Sequence, residues 1–254
     1  MFRMCCFSMN VQRVANTRIF ARRLDVSHQA IAYQMEFSAA DDLAMILPIP
    51  VIPGSREDAV KFINLEDYST FFDDLDSAFP RPKSLGRGAP AAGSLVPSQT
   101  LKVQSVGSFE ASFVPTSADF RRLDKRFRIE PEIWNKIPDY SDYGFAVFKL
   151  KKGDHEVHPM ALRFPSRHPD KLFFPTVHIH DGEVHAKEEF DHEIYCQVDR
   201  PGMFAMTKWE ESPGIAKASC KVDKSQNLLK ADAHLHRRRL KGMLDNKDII
   251  LGTA

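Results

Sequence analysis

The stretch His28-Gln29-Ala30-Ile31-Ala32-Tyr33-Gln34-Met35-Glu36-Phe37 decides the fold class. Ile31, Tyr33, Met35 and Phe37 recur at every second position, and side chains of an extended chain alternate faces with that period. The spacing predicts a half-buried strand. Upstream, Thr17–Arg22 is a short run of β-formers. Downstream, Leu43–Leu47 is continuously apolar and ends at Pro48-Ile49-Pro50, the pattern of a strand buried on both faces whose ladder the prolines stop.

Further strands are predicted over Leu101–Val106, Gly107–Val114, Gly144–Leu150, Met160–Phe164, Leu172–His180, Glu183–Ala186 and Phe190–Val198. His234–Leu244 suits helix or strand, and the punctuation at Gly242 and Asp245-Asn246 favours strand. Two segments change period. Leu65, Tyr68, Phe71, Phe72, Leu75 and Phe79 recur at three and four, which predicts an amphipathic helix stopped by Pro80 and Pro82. Ser117–Phe127 has helical spacing after a capping hydroxyl. The fold class is therefore α+β: a predominantly antiparallel sheet with a few short helices. Residues 81–99 collect Gly, Pro, Ser and Ala and read as a flexible loop inside a single domain spanning 1–254.

Composition narrows the function. With 35 basic and 34 acidic residues the formal charge is +1, without the basic excess of a nucleic-acid-binding domain. No apolar run reaches the roughly 18 residues that span a bilayer, and the first eight residues are too polar for an export signal. These points predict a cytoplasmic protein. Cys5, Cys6, Cys196 and Cys220 form no CxxC pair and are expected as free thiols. Nineteen Phe against five Tyr predicts many interior rings.

Seven of the ten histidines lie between His155 and His192. The densest run is Val177-His178-Ile179-His180-Asp181-Gly182-Glu183-Val184-His185, and Asp-Gly between alternating segments signals a two-residue hairpin turn. In that register His178 opposes His185 and His180 opposes Glu183. Opposed Cβ atoms lie about 4.5–5.5 Å apart. His178, His180, Glu183 and His185 then share one face, a donor set for Zn, Fe, Mn or Cu. The same face is also what a solvated hairpin would carry, and the imidazoles alone would make a proton-sensitive cluster. His192, between Asp191 and Glu193, reads as a structural histidine facing away from both acids. Arg237-Arg238-Arg239 reads as a basic patch split between two strand faces. Were translation to begin at Met4, Cys5 would become an N-terminal nucleophile with its own amine as base.

Cys5-Cys6-Phe7-Ser8, Thr17–Arg22 (TRIFAR), Leu43–Pro50 (LAMILPIP), Phe109–Thr116 (FEASFVPT), Asp142–Leu150 (DYGFAVFKL) and Leu172–Gly182 (LFFPTVHIHDG) together resemble an uncharacterised bacterial protein family. That resemblance implies a bacterial, single-unit protein and carries no activity. The spacing of Arg22 and Asp25 after Cys5 is loosely similar to that of bile-salt-hydrolase-like enzymes. Three expectations follow: a metal-binding protein or metalloenzyme; a non-catalytic binding or scaffold domain with a protein partner; and an N-terminal-nucleophile hydrolase using Cys5.

Overall fold

The computed structural model describes residues 6–9, 11–80, 104–106, 109–129, 140–156, 158–179, 183–198 and 206–252. In chain order its elements begin with β1 (Cys6–Phe7), β2 (Arg13–Arg23), β3 (His28–Ala39), β4 (Leu43–Ile49), β5 (Lys61–Asn64) and helix α1 (Phe71–Ser77). Next come β6 (Gln104–Val106), β7 (Phe109–Val114), β8 (Gly144–Leu150), β9 (Gly153–Glu156), β10 (Met160–Pro165) and β11 (Lys171–Phe174). The last are β12 (Lys187–Gln197), β13 (Glu210–Ile215), β14 (His234–Asp245) and β15 (Ile249–Gly252). Short 3-10 helices punctuate the connections.

Five strands form one sheet in the order β1-β4-β8-β7-β6. Eight form a second, running β13-β14-β12-β2-β3-β10-β5 with β9 also paired to β3. β11 and β15 make a separate pair. The ladders are antiparallel, except that β12 runs parallel to β2, with Ile194 opposite Ile19. The chain is β-rich with few and short helices.

The larger sheet is buried on both sides. One hydrophobic cluster joins Ile19, Ile31, Tyr33, Met35 and Phe37 to Met45, Leu47, Phe113, Phe145 and Phe148 of the smaller sheet. A second joins Phe20, Ala30, Ala32, Ala161 and Tyr195 to Leu65, Tyr68, Phe71, Phe72 and Leu75. In the register of the large sheet Phe20, Ala32, Ala161 and Ile63 form one row, where the two alanines leave room for the rings of Phe71 and Phe72. The half-buried strand expected at His28–Phe37 is corrected accordingly, because Gln29 to Met35 are buried throughout. Gln29 survives there because its amide donates to Phe173 O (2.7 Å) and accepts from Phe173 N (3.1 Å), as a backbone peptide would.

The amphipathic segment from Leu65 is not one helix. A 3-10 turn over Glu66–Tyr68 precedes α1. Tyr68 Oη accepts from Lys221 N at 2.8 Å and pins that turn. The apolar residues at the predicted spacing are nevertheless all buried. Ser117–Phe127 likewise divides into 3-10 turns over Ser117–Arg122 and Lys125–Phe127. The loop expected at 81–99 lies outside the described residues. Among those described, no helix is long and apolar enough to cross a membrane.

Candidate functional site

The histidine run folds differently from the register expected of it. β11 ends at Phe174, before Pro175, which has no N–H for the ladder. Thr176, Val177 and His178 continue extended, held by side chains of the β14–β15 connection. Asp248 Oδ1 accepts from Thr176 N (2.8 Å) and Val177 N (3.1 Å), and Asn246 Oδ1 from His178 N (2.8 Å). Ile179 bridges Cys6 in parallel and accepts from Phe7 N (3.1 Å). Glu183–Ala186 is not a strand, and β12 opens only at Lys187.

His178 and His185 lie side by side in backbone only: Asn246 Nδ2 donates to both carbonyls at 3.0 Å. Their side chains part. His178 is buried, whereas His185 and Glu183 are exposed, and His180, Asp181 and Gly182 lie outside the described residues. What His178 meets is His192 on β12. The rings stack at 5.1 Å with 13° between planes, their Nε2 atoms are 3.5 Å apart, and Phe190 closes the stack at 4.4 Å from His178. Burial pushes His192 well below its ordinary pKa, and the neighbouring His178 adds to the shift. His192 is thereby held neutral in the core.

The remaining sequence candidates are tied into the framework. Arg237 is 2 % exposed, pairs with Asp76 (2.6 Å) and Glu210 (2.7 Å), and lies over the Phe79 ring at 4.3 Å. Arg239, on the same strand face, bonds Glu193 at 2.8 Å. The arginine run is thus split between the two faces of β14, with Arg237 and Arg239 neutralised by acids. Arg22 donates to Leu228 O and Asn227 O (2.7 and 2.6 Å). Cys6, Cys196 and Cys220 are buried and not joined in disulfides, burial pushing the Cys220 thiol up to about 12. Cys5 lies outside the described residues.

The site that sequence reading missed is a rim where two turns meet the end of β10. The first joins β2 to β3. Asp25 Oδ1 accepts from Ser27 N (2.7 Å), Ser27 Oγ (2.8 Å) and His28 N (2.8 Å), and these bonds hold its carboxyl well below the usual carboxylate range. Leu24 N donates to His28 O at 2.9 Å. Arg23 folds beneath the turn and donates to the carbonyls of Asp25 (2.9 Å), Val26 and His168, a partly buried position that lowers its pKa. At the tip Val26 is 82 % exposed.

The second turn is Ile52-Pro53-Gly54-Ser55. Ser55 N donates to Ile52 O (3.1 Å), and Gly54 has φ +79°, the left-handed value that favours glycine after proline in a tight turn. Ile52 there is 49 % exposed. Consecutive residues of β10 and its exit hold both turns: Ile52 N donates to Pro165 O (3.2 Å) and Ser166 N to Ser27 O (2.8 Å). Arg167 adds a strut, with Nε on Val51 O at 3.0 Å and its guanidinium over Tyr143. Asp25-x-Ser27 and Pro53-Gly54 were available as turn signals, but a turn signal does not say which turns meet.

No protein-family model matches the chain. Among solved structures it is similar to baculovirus P35, at 15 % identity and a TM-score of 0.47 over 98 % of this chain and 99 % of that one. It is also similar to a chain in the crystal structure of the caspase-8/P35 complex, at 15 % identity and a TM-score of 0.48 over 94 % and 96 %. The expected description as a metal-binding protein is corrected. Among the described residues no group of three or more His, Cys, Asp or Glu is placed to hold a metal ion. The physical reason is visible at the expected site, where His178 turns inward to His192 while His185 and Glu183 face solvent.

Proposed function

We propose that this chain is a non-catalytic protein-binding domain whose docking rim is the pair of turns at Val26 and Ile52. One observation carries this reading: Val26 is 82 % exposed at the tip of a turn braced by Asp25, Arg23 and Ser166. Single exposed apolar residues are ordinary. One held this firmly is not, because the bracing removes most of the ordering cost that a partner would otherwise meet on closing over it. Ile52 on the adjacent turn supplies a second anchor, and a few apolar anchors carry most of the energy of a protein interface. The buried thiols suit a reducing compartment such as the cytoplasm.

The test is co-purification. The full chain, immobilised, is offered a lysate of cells of its source and, separately, caspase-8, the protein found with P35 in one of the similar structures. The reading rests on the two turns and holds for whichever protein binds them. One protein should be retained near unit stoichiometry and lost at least about tenfold by Val26→Asp with Ile52→Asp. Equal retention by both forms, or nothing above bare resin, overturns it.

A further inference from the structure

Beside the Val26 turn lies a cavity of about 280 Å3 lined by Leu24, Asp25, His28, Lys61, Arg163 and Asn227, with Ala59. Its charge is unusual. Lys61 on β5 and Arg163 on β10 are direct cross-strand partners, so their side chains leave the same face of the sheet. Like charges placed directly opposite each other are destabilising. Among the described residues neither side chain has a hydrogen bond or an ion pair. Three other strand arginines are paired with acids: Arg18 with Asp73, Arg237 with Asp76 and Glu210, and Arg239 with Glu193. The one acid in the cavity does not neutralise the pair. Its Oδ1 is occupied by Ser27 and by the backbone and ring of His28, at 3.2 Å for the ring.

We infer that this cavity receives a carboxylate side chain, Asp or Glu, from a segment of the partner protein, next to an apolar residue that packs on Val26. The inference rests on the protein-binding reading and names the chemistry of the segment that binds. A carboxylate between Lys61 and Arg163 relieves their repulsion and gains charge-assisted hydrogen bonds. An apolar neighbour in the same segment reaches Val26, which follows directly on the lining residue Asp25.

The probe is the capped peptide acetyl-Leu-Glu-Leu-amide, with acetyl-Leu-Gln-Leu-amide and inorganic phosphate as comparisons. Each is titrated into the 15N-labelled full chain and followed by amide shifts. Expected are saturable shifts at His28, Lys61 and Arg163 with the Glu peptide, at least about tenfold weaker with the Gln peptide, and weakened again as salt rises past about 0.5 M. Lys61→Glu with Arg163→Glu, both exposed side chains, should abolish them while the melting curve stays cooperative. Absence of shifts, equal shifts with the Gln peptide, or shifts with phosphate alone overturn the inference. The two proposals separate cleanly. If the Lys61/Arg163 variant retains the co-purified partner as the wild type does, while the Val26/Ile52 variant loses it, the rim stands and the carboxylate cavity falls.

Discussion

Gly144 opens β8 against a wall: a Cβ there would lie 2.5 and 2.7 Å from the Phe113 ring and 3.0 Å from Val51. Phe113 is buried and packed, so the ring has nowhere easy to go. Gly144→Ala should cost about 1–3 kcal/mol in urea unfolding, the range for an overpacked core. At His192 the expected outcome depends on pH. The unfolded chain takes up a proton near its ordinary pKa of about 6.5, which the folded chain refuses because the ring is buried against His178. Stability is therefore complete above about pH 6.5 and falls as pH drops below it, with a limiting slope of about 1.4 kcal/mol per pH unit for one proton. His192→Phe keeps a ring against Phe190 and removes the proton. Between pH 7 and 5 its unfolding free energy should change less than that of the wild type, and parallel curves would remove His192 as the cause. Alternation put His192 opposite in facing to Asp191 and Glu193, but nothing in the sequence said that His178 would be the ring it meets. That pairing is made by β12 running beside the 176–178 segment, which Asp248 and Asn246 hold in place.

Long periodic elements were legible and short ones were not. β3, β4, β8 and β10 lie where alternation or continuous apolarity put them, and β14 where the punctuation at Gly242 and Asp245-Asn246 favoured strand. β5, β9 and β15 have four residues each, too few to display a period. β13 carries Pro213 and Gly214, which read as a loop, and it sits at the sheet edge where proline is tolerated. The helix over-run at Leu65 has the same origin in reverse: the apolar spacing was correct, but burial of a stripe does not require continuous α-helix, and Tyr68 is held by Lys221 instead. The periodicity of the histidine run did not say what its flanks pair with: Ile179 pairs with Cys6, and Glu183–Ala186 is not a strand. Arg237 ties three elements together, α1 through Asp76, β13 through Glu210 and its own β14. Arg237→Ala removes the cation and leaves two carboxylates against Phe79 and Tyr195. A loss of about 3 kcal/mol is expected, the lower end for breaking a buried pair because Glu210 is half-exposed. A loss below about 1 kcal/mol would show that the cluster is not coupled to the fold.

The sheets and their helical cover hold most large apolar side chains inside, so among the described residues the large apolar groups left exposed are few and their placement matters. Composition foretold part of this: the skewed phenylalanine content pointed to the filled core. It could not foretell the rim, because Val26 and Ile52 are 26 residues apart in the chain and meet only where β10 ends between their turns. A merely solvated rim would tolerate charge at both positions. A docking rim would not, since two anchors at about 2 kcal/mol each correspond to roughly a thousandfold in affinity. The decisive measurement is the affinity of the purified full chain for its captured partner, wild type against Val26→Asp with Ile52→Asp, both shown to unfold cooperatively at the same midpoint. The account predicts a loss of at least about a hundredfold; an affinity unchanged within about threefold would contradict it.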